Sequence, residues 1–130
     1  NRPESGKRPR SSMSPTLVFG PDGRLKLVVG AAGGVTIPAQ VIRALIGVLD
    51  WDLPPDQALA LPVIFAPGGN TVFLEKGTML EAMAPALVGL GHADLQYRSP
   101  LTFKAQAILI EGRALKGAAD PRSEGKAFSE

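Results

Sequence analysis

Residues 27–49, LVVGAAGGVTIPAQVIRALIGVL, set the architecture that we predict for this chain. The apolar run at 27–29 is typical of a β-strand, and the glycine-rich segment 30–34 predicts a turn. Apolar residues then recur at helical spacing from Val35 to Leu49. Pro38 is compatible with this helix because the amide groups of a first turn have no partner within the helix. The stretch therefore predicts a strand, a turn and a long helix.

One face of this predicted helix is apolar, and we expect it to be buried. Gln40, Arg43 and Asp50 lie away from the apolar face and are expected to contact solvent. The apolar face consists of Val41, Ile42, Leu45, Ile46 and Leu49.

Two consecutive glycines, Gly33 and Gly34, stand where the predicted helix begins. Glycine lets the backbone approach a ligand closely, and the first amide groups of a helix favour negative charge. The turn could therefore bind an anion. The glycines alone are equally compatible with a turn that only permits tight packing.

Composition limits the classes of protein to consider. With 130 residues, of which 45% are hydrophobic, the chain is one domain or a piece of a larger one and can form a core. It has no cysteine, which excludes disulfides, thiolate metal sites and a cysteine nucleophile. Because it begins at Asn1 and has a mean hydropathy of +0.11, we expect a segment of a longer polypeptide that buries surface against another part. Residues 28–49 are too polar for a membrane span.

Basic residues cluster in the first ten positions, although the net charge is only +2. Such an arm could contact phosphates, but no aromatic residues interleave with it and no helix follows that could read bases. We expect a solvated arm and no nucleic-acid partner. The cluster consists of Arg2, Lys7, Arg8 and Arg10.

The remaining elements follow from local signals. Thr78 and Glu81 have the spacing of a capping box, Pro85 should kink or split the helix that follows, and Gly91 should end it. The predicted elements are a hairpin of 16–19 and 25–29, one or two helical turns within 56–61, an irregular connection at 62–70, strands at 71–75 and 94–98, a helix from Thr78 to about Leu90, a hairpin of 105–110 and 113–118, and a polar tail from Asp120 to Glu130. This order predicts an α/β or α+β fold with strands packed against helices.

Few residues of the chain suit catalysis or metal binding. His92 is the only histidine and follows Gly91 at a predicted helix end, where a histidine usually contacts carbonyl groups. The acidic residues Asp50, Asp52 and Asp56 lack the spacing and the glycine of an EF-hand. The residues of the chain therefore provide no complete catalytic constellation, and we expect no metal and no cofactor.

Three motifs resemble one enzyme family. The segment GKRPRSSMSPT at residues 6–16 is similar to the serine-containing segment of γ-glutamyltransferases, also called γ-glutamyltranspeptidases or glutathione hydrolases. In that family it is followed by a hairpin, a glycine-pair turn like residues 30–34 and a long helix. The segment GAADPRS at 117–123 is similar to the family's closing segment. The resemblance covers nearly the whole chain.

The resemblance implies an N-terminal-nucleophile fold, an αββα sandwich, in which a precursor cleaves itself and exposes a threonine nucleophile. That threonine attacks a γ-glutamyl amide, and the acyl group passes to water, an amino acid or a peptide. For this chain it implies that Ser11 and Ser12 bind the α-carboxylate of the donor and that the backbone amides of Gly33 and Gly34 form the oxyanion hole. The threonine belongs to a segment upstream of these serines that is not in this sequence.

The resemblance also sets expectations about the whole protein. Residues 1–130 should be the C-terminal portion of a small-subunit domain, with a loop at 1–14 and the sheet and helices at 15–130. Its partners should be the rest of its precursor, a donor such as glutathione and an acceptor. The fragment alone should be inactive and could self-associate through unpaired strand edges. Because bacterial members are usually exported, we expect a periplasmic or extracellular parent protein.

Three alternatives remain open from the sequence. Cephalosporin acylases, which remove a glutaryl group, share these motifs. A homologue without the threonine would keep the fold as a binding or scaffold protein. A nucleic-acid binder would use the basic arm, and its binding would weaken with salt.

Overall fold

The computed structural model describes residues 2–99 and 103–128. The predictions made for Asn1 and for the end of the polar tail, 129–130, lie outside the described residues. The elements are β1 (Thr16–Phe19), β2 (Leu25–Ala32), α1 (Ile37–Leu49), α2 (Pro55–Ala60), β3 (Ile64–Phe65), β4 (Thr71–Glu75), α3 (Ala84–Gly89), β5 (Asp94–Arg98), β6 (Lys104–Glu111) and β7 (Ala114–Ala119), with a single 3₁₀ turn at Gly34–Thr36 before α1. The chain is therefore α+β, as predicted.

The larger sheet has four antiparallel strands in the order β1-β2-β6-β7. Both predicted hairpins, β1–β2 and β6–β7, are confirmed. Side chains alternate along the strands, so one face of the sheet packs against α1 and α2 and the other face stays open. Val28 and Ile108, which are paired across β2 and β6, lie on the open face. The buried face contains Leu27, Val29, Ala105, Ala107 and Leu109.

The smaller sheet has the order β3-β4-β5. Strand β4 pairs antiparallel with β3 and parallel with β5. Val72 and Leu74 of β4 form a second buried cluster with Leu80. The sequence predicted β4 and β5 correctly. It missed β3, which is only two residues long and lies within the predicted irregular connection at 62–70.

The buried face of α1 matches the predicted one only in part. Val41 is buried and Leu45 and Leu49 pack against the core, as predicted. Ile42 and Ile46 are 54% and 37% exposed, whereas Gln40 is completely buried. The helix lies against both the sheet and α2, and the close approach to α2 requires small residues on the contact face. Size and hydrogen bonding therefore decide which residues are buried here, in addition to hydrophobicity. The buried residues of α1 are Ile37, Gln40, Val41, Ala44, Gly47 and Val48.

The start of α1 also differs in detail. Strand β2 continues to Ala32, so the turn is shorter than the predicted segment 30–34 and is centred on Gly33. The α-helix begins at Ile37 and has Pro38 in its first turn, as predicted.

The predicted helix from Thr78 to Leu90 is helical only over Ala84–Gly89. The capping-box residues act within a turn: the Glu81 carboxylate accepts a hydrogen bond from the Gly77 N–H at 2.7 Å, not from Thr78. Pro85 lies in the first turn of α3, where proline is tolerated, so it begins the helix. Gly91, with φ of +96°, ends it as predicted.

None of the helices formed by residues 2–99 and 103–128 combines the length and the apolar character that crossing a membrane would demand.

Two helical glycines give a test of the α1–α2 contact. A Cβ atom added to Gly47 would lie 2.8 Å from the Cβ of Ala58, whereas one added to Gly89 would meet nothing within 4 Å. We expect Gly47→Ala to destabilise the full-length protein by about 1–3 kcal/mol through overpacking. Gly89→Ala is the matched control and should be neutral or slightly stabilising, by less than about 1 kcal/mol. Urea denaturation measures both, and equal effects would contradict the contact.

Candidate functional site

The Gly33–Gly34 turn links the end of β2 to α1. Gly33 has φ of +139° and Gly34 has φ of +61°, conformations that favour glycine. Both residues are exposed. Within residues 2–99 and 103–128, neither amide N–H has a hydrogen-bond partner. The two amides are therefore available to a ligand, as the sequence predicted.

The carbonyl groups of this turn are held by side chains of α1 and of the 3₁₀ turn before it. Gln40 Nε2 donates to the carbonyl of Ala32 at 3.0 Å and to Thr36 Oγ1 at 2.9 Å. The Thr36 hydroxyl in turn donates to the carbonyl of Gly33 at 3.1 Å. Gln40, predicted to contact solvent, is therefore a buried residue of the site's framework, and no local pattern in the sequence indicated this.

Ser11 and Ser12 lie in the extended segment before β1. Ser11 is exposed, and its Oγ accepts a hydrogen bond from the Met13 N–H at 3.3 Å; Ser12 is half-buried. Thr16, the first residue of β1, pairs with Val29 in the antiparallel β1–β2 hairpin. The segment before Thr16 therefore leaves the sheet at the same end at which β2 runs into Gly33.

A buried carboxylate, Asp120, lies between two arginines. Its side chain has no exposed area; its Oδ2 is 2.7 Å from Arg43 Nη2 and its Oδ1 is 3.1 Å from Arg122 Nη1. Asp120 Oδ1 also accepts from the Arg122 N–H at 2.9 Å. The sequence placed Asp120 in a polar tail and Arg43 on a solvent-facing side of α1, and both predictions are wrong. The two residues are 77 positions apart, so no local pattern could pair them.

The network continues through Arg122 to Glu75 at the end of β4. Arg122 binds the Glu75 carboxylate with two hydrogen bonds of 2.7 Å, from Nε and Nη2. The Glu75 carboxylate also accepts a hydrogen bond from the Val63 N–H, at 2.9 Å from Oε2. Because Glu75 belongs to the smaller sheet and Asp120 directly follows β7, this chain of charges joins the two sheets.

The same arginines bind the carbonyl groups at the end of α2. Arg43 donates to Leu61 and Leu59 at 2.7 and 3.0 Å, and Arg122 donates to Leu61 at 3.0 Å. The guanidinium of Arg43 also lies 5.2 Å from the ring centre of Phe103, a cation–π distance. The arginines thereby satisfy carbonyl groups that the short helix leaves without partners.

Burial and pairing shift the pKa values of this cluster in opposite directions. Burial lowers the pKa of Arg43, although its bond to Asp120 opposes the shift. Burial alone would lower the pKa of Arg122 and raise that of Glu75. Their mutual hydrogen bonds outweigh burial, so the pKa of Arg122 is raised and that of Glu75 is lowered. The hydrogen bonds between Arg122 and Glu75 therefore favour the charged form of each.

His92 follows Gly91 at the end of α3 and is exposed, and its backbone N–H donates to the Leu87 carbonyl at 3.0 Å. Across the two described ranges, no group of three histidine or acidic side chains is arranged to hold a metal ion.

The comparison with known proteins identifies the family. The sequence model described as gamma-glutamyltranspeptidase matches residues 1–129. The chain belongs to the γ-glutamyltranspeptidase family. It is 33% identical over 128 residues to a glutathione hydrolase proenzyme of Pseudomonas aeruginosa, covering 96% of this chain and 23% of that relative. The chain thus spans about a quarter of the length of this curated relative.

Solved structures of the γ-glutamyltranspeptidase family have the same fold. The γ-glutamyltranspeptidase from Pseudomonas nitroreducens, solved in complex with L-DON, superposes with a TM-score of 0.83 and 32% identity, covering 98% of this chain and 66% of that chain. A cephalosporin acylase from Bacillus halodurans superposes with a TM-score of 0.70 and 25% identity, covering 81% of this chain and 20% of that one. The predicted N-terminal-nucleophile fold is therefore confirmed.

The buried charge cluster predicts a large effect of Asp120→Asn. The substitution keeps the size of the side chain but removes the charge between Arg43 and Arg122, leaving Arg43 buried without its anionic partner. We expect the full-length protein to lose about 3 kcal/mol of unfolding free energy in urea denaturation, the lower end for breaking a buried ion pair. Glu111→Gln, which disrupts a half-exposed pair with Lys116, is the control and should cost less than about 1 kcal/mol. Similar losses in the two variants would contradict the account of Asp120.

The lowered pKa of Glu75 predicts an acid-dependent contribution to stability. A carboxyl whose pKa is lowered by folding stabilises the folded state above its unfolded pKa, and loses this as the pH falls through the folded pKa. The unfolding free energies of wild type and Glu75→Gln should therefore differ most near neutral pH. The difference should shrink as the pH falls below the ordinary value of 4.5. Urea denaturation across this range measures it, and a pH-independent difference would contradict the role of the charge.

Proposed function

We propose that this chain works as the C-terminal portion, residues 1–130, of the small-subunit domain of a γ-glutamyltransferase, or glutathione hydrolase. The single observation that carries the proposal is the family match over residues 1–129. The parent enzyme would cleave γ-glutamyl amides through a threonine acyl-enzyme and pass the γ-glutamyl group to water, an amino acid or a peptide. The threonine would come from outside this chain.

In this proposal the backbone amides of Gly33 and Gly34 form the oxyanion hole. They are exposed and have no partner among the described residues; Gly33 precedes the 3₁₀ turn, Gly34 is its first residue, and the 13-residue helix α1 follows. Amides held in this way stabilise the negative oxygen of a tetrahedral intermediate, and loss of one such donor typically costs about 3 kcal/mol of the barrier.

Ser11 and Ser12 bind the α-carboxylate of the donor in this proposal. Serine hydroxyls donate hydrogen bonds to a carboxylate without adding charge. In support, the segment that carries the serines adjoins the end of the β1–β2 hairpin at which β2 continues into the glycine turn. In this proposal the serines bind the α-carboxylate of the donor, and the carbonyl of the donor's γ-glutamyl amide lies at the glycine turn.

The proposed partner within the protein is the rest of its own precursor. The open face of the larger sheet carries an apolar groove, and Ile108 there is 43% exposed. Relatives of this chain are named proenzymes, and the chain spans about a quarter of their length. The remaining polypeptide would cover this face, and the chain by itself would self-associate through it or through its unpaired strand edges. The groove is lined by small and apolar residues that include Val28, Gly30, Ala31, Gly117 and Ala119.

We further propose that the parent protein acts in the periplasm or outside the cell. Fractionation of the source cells, with antibodies against this chain, would test the location.

A cephalosporin acylase is the second candidate, favoured by the superposition on the Bacillus halodurans enzyme and by 31% identity over 123 residues to an acylase proenzyme of a Pseudomonas species. The two functions differ in the donor, because a glutaryl group lacks the α-amino group of a γ-glutamyl group. Comparing the rates with a γ-glutamyl and a glutaryl anilide on the full-length protein distinguishes them.

The proposed function predicts that the full-length precursor matures into two pieces and releases the chromophore from a γ-glutamyl anilide, whereas residues 1–130 alone do not. Ser12→Ala should reduce kcat/KM for the donor by about 10- to 100-fold, the loss expected for one hydrogen bond to a charged group. Ser5→Ala, in the basic arm, is the control and should leave the rate unchanged. A full-length protein that does not turn over this donor would refute the proposal. Turnover of a glutaryl anilide instead would indicate the acylase, and a protein that neither matures nor turns over either donor would indicate the non-catalytic homologue.

A further inference from the structure

Two peptide groups carry the amides of the proposed oxyanion hole. The Ala32–Gly33 peptide contains the Ala32 carbonyl and the Gly33 N–H, and the Gly33–Gly34 peptide contains the Gly33 carbonyl and the Gly34 N–H. In a planar trans peptide the carbonyl and the N–H point in opposite directions. A group that holds the carbonyl therefore also determines the direction of the N–H.

Gln40 holds the first of these peptides from the interior. Its side chain is completely buried, and both Nε2 and Oε1 have hydrogen-bond partners. Nε2 donates to the Ala32 carbonyl at 3.0 Å and to Thr36 Oγ1 at 2.9 Å, while Oε1 accepts from the Lys104 N–H at 2.7 Å. A carbonyl can only accept and an N–H can only donate, so the orientation of this amide is unambiguous. The Gly33 N–H consequently points away from the core.

Thr36 holds the second peptide. Its hydroxyl receives the hydrogen bond from Gln40 and donates to the Gly33 carbonyl at 3.1 Å. Glycine peptides rotate more freely than any others, and Gly33 and Gly34 both have positive φ. Without these two bonds, the turn would have few side-chain constraints on the direction of its amides.

We infer that Thr36 and Gln40 are positioning residues that orient the Gly33 and Gly34 amides for the oxyanion; this inference rests on the proposed function. Gln40 is completely buried, and both side chains act through the peptide groups whose carbonyls they bind. They act by preorganisation: the amides already point toward the developing charge, and no rearrangement is needed during the reaction. Because the oxyanion exists only around the transition state, the effect should fall on kcat and not on KM.

The first test uses a matched pair at Thr36 in the full-length protein. Thr36→Val keeps the shape but removes the hydroxyl, and should lower kcat for a γ-glutamyl anilide by about 10-fold, less than the 10²- to 10³-fold loss of a whole donor. KM should stay within about 2-fold. Thr36→Ser restores the hydroxyl and should restore kcat. The extent of maturation, read from the two pieces on a gel, is used to express every rate per mature enzyme.

The second test uses Gln40→Met, which keeps the length of the side chain but removes all three hydrogen bonds. Val41→Ala is its control, because Val41 is equally buried on the same helix and contacts neither peptide of the turn through hydrogen bonds. Both variants should lower the melting temperature, but only Gln40→Met should lower kcat, by about 10-fold or more. If Gln40→Met does not mature, the Thr36 pair decides the question alone.

The outcomes distinguish a failure of this inference from a failure of the proposed function. A wild-type protein that matures but does not turn over the γ-glutamyl donor refutes the proposed function and with it this inference. An active wild type whose Thr36→Val variant keeps kcat within about 2-fold, like Thr36→Ser, refutes the positioning role and leaves the proposed function standing. A loss of kcat in Thr36→Val that Thr36→Ser restores supports it.

Discussion

The carboxylate of Asp120 lies in the interior with no exposed area, and both of its oxygens are bound by arginines. Removing such a charge from water is costly, and only close partners with good geometry compensate for it. Here the partners come from distant parts of the chain: Arg43 from the middle of α1 and Arg122 from the segment after β7. The carboxylate can be buried only when all these segments are in place. The burial of Asp120 therefore depends on the whole fold and not only on neighbouring residues.

The ion pair of Asp120 also affects the glycine turn, because its partner Arg43 belongs to α1, the helix that follows the turn. Arg43 holds the middle of the helix against the end of α2 and Asp120, and Gln40, one turn earlier, holds its start against β2 and β6. The helix therefore has little freedom to shift along the sheet. The turn between β2 and α1 consists of glycines, the most flexible residues, but it is fixed at both ends by rigid elements. Such a frame suits a site that must present two amides in defined directions.

Local signals predicted much of the fold because most elements form among near neighbours in the sequence. The two hairpins, β4, β5 and the end of α3 at Gly91 were all predicted from strand-forming runs, turn residues and a glycine stop. The failures have different causes. The buried face of α1 was predicted only in part, because the contact with α2 requires the small Gly47 beside Ala58 and because hydrogen bonds allow Gln40 to be buried. The helix predicted from Thr78 began only at Ala84, because the Thr78 and Glu81 side chains stabilise turns in place of a helical start.

The sequence by itself determined the α+β class, the family and the residues proposed as the site, Ser11 and Ser12 with Gly33 and Gly34. These depend on residue types in a particular order. Only the tertiary structure decided that Gln40 and Asp120 are buried, that the Arg43 side chain is only 12% exposed, and that these residues hold the frame of that site. Each is polar, and each of their local patterns favours solvent. They leave solvent because partners satisfy them once the chain has folded: Gln40 binds Ala32 and Thr36 nearby and Lys104, 64 positions away, and Arg43 and Asp120 bind each other across 77 positions.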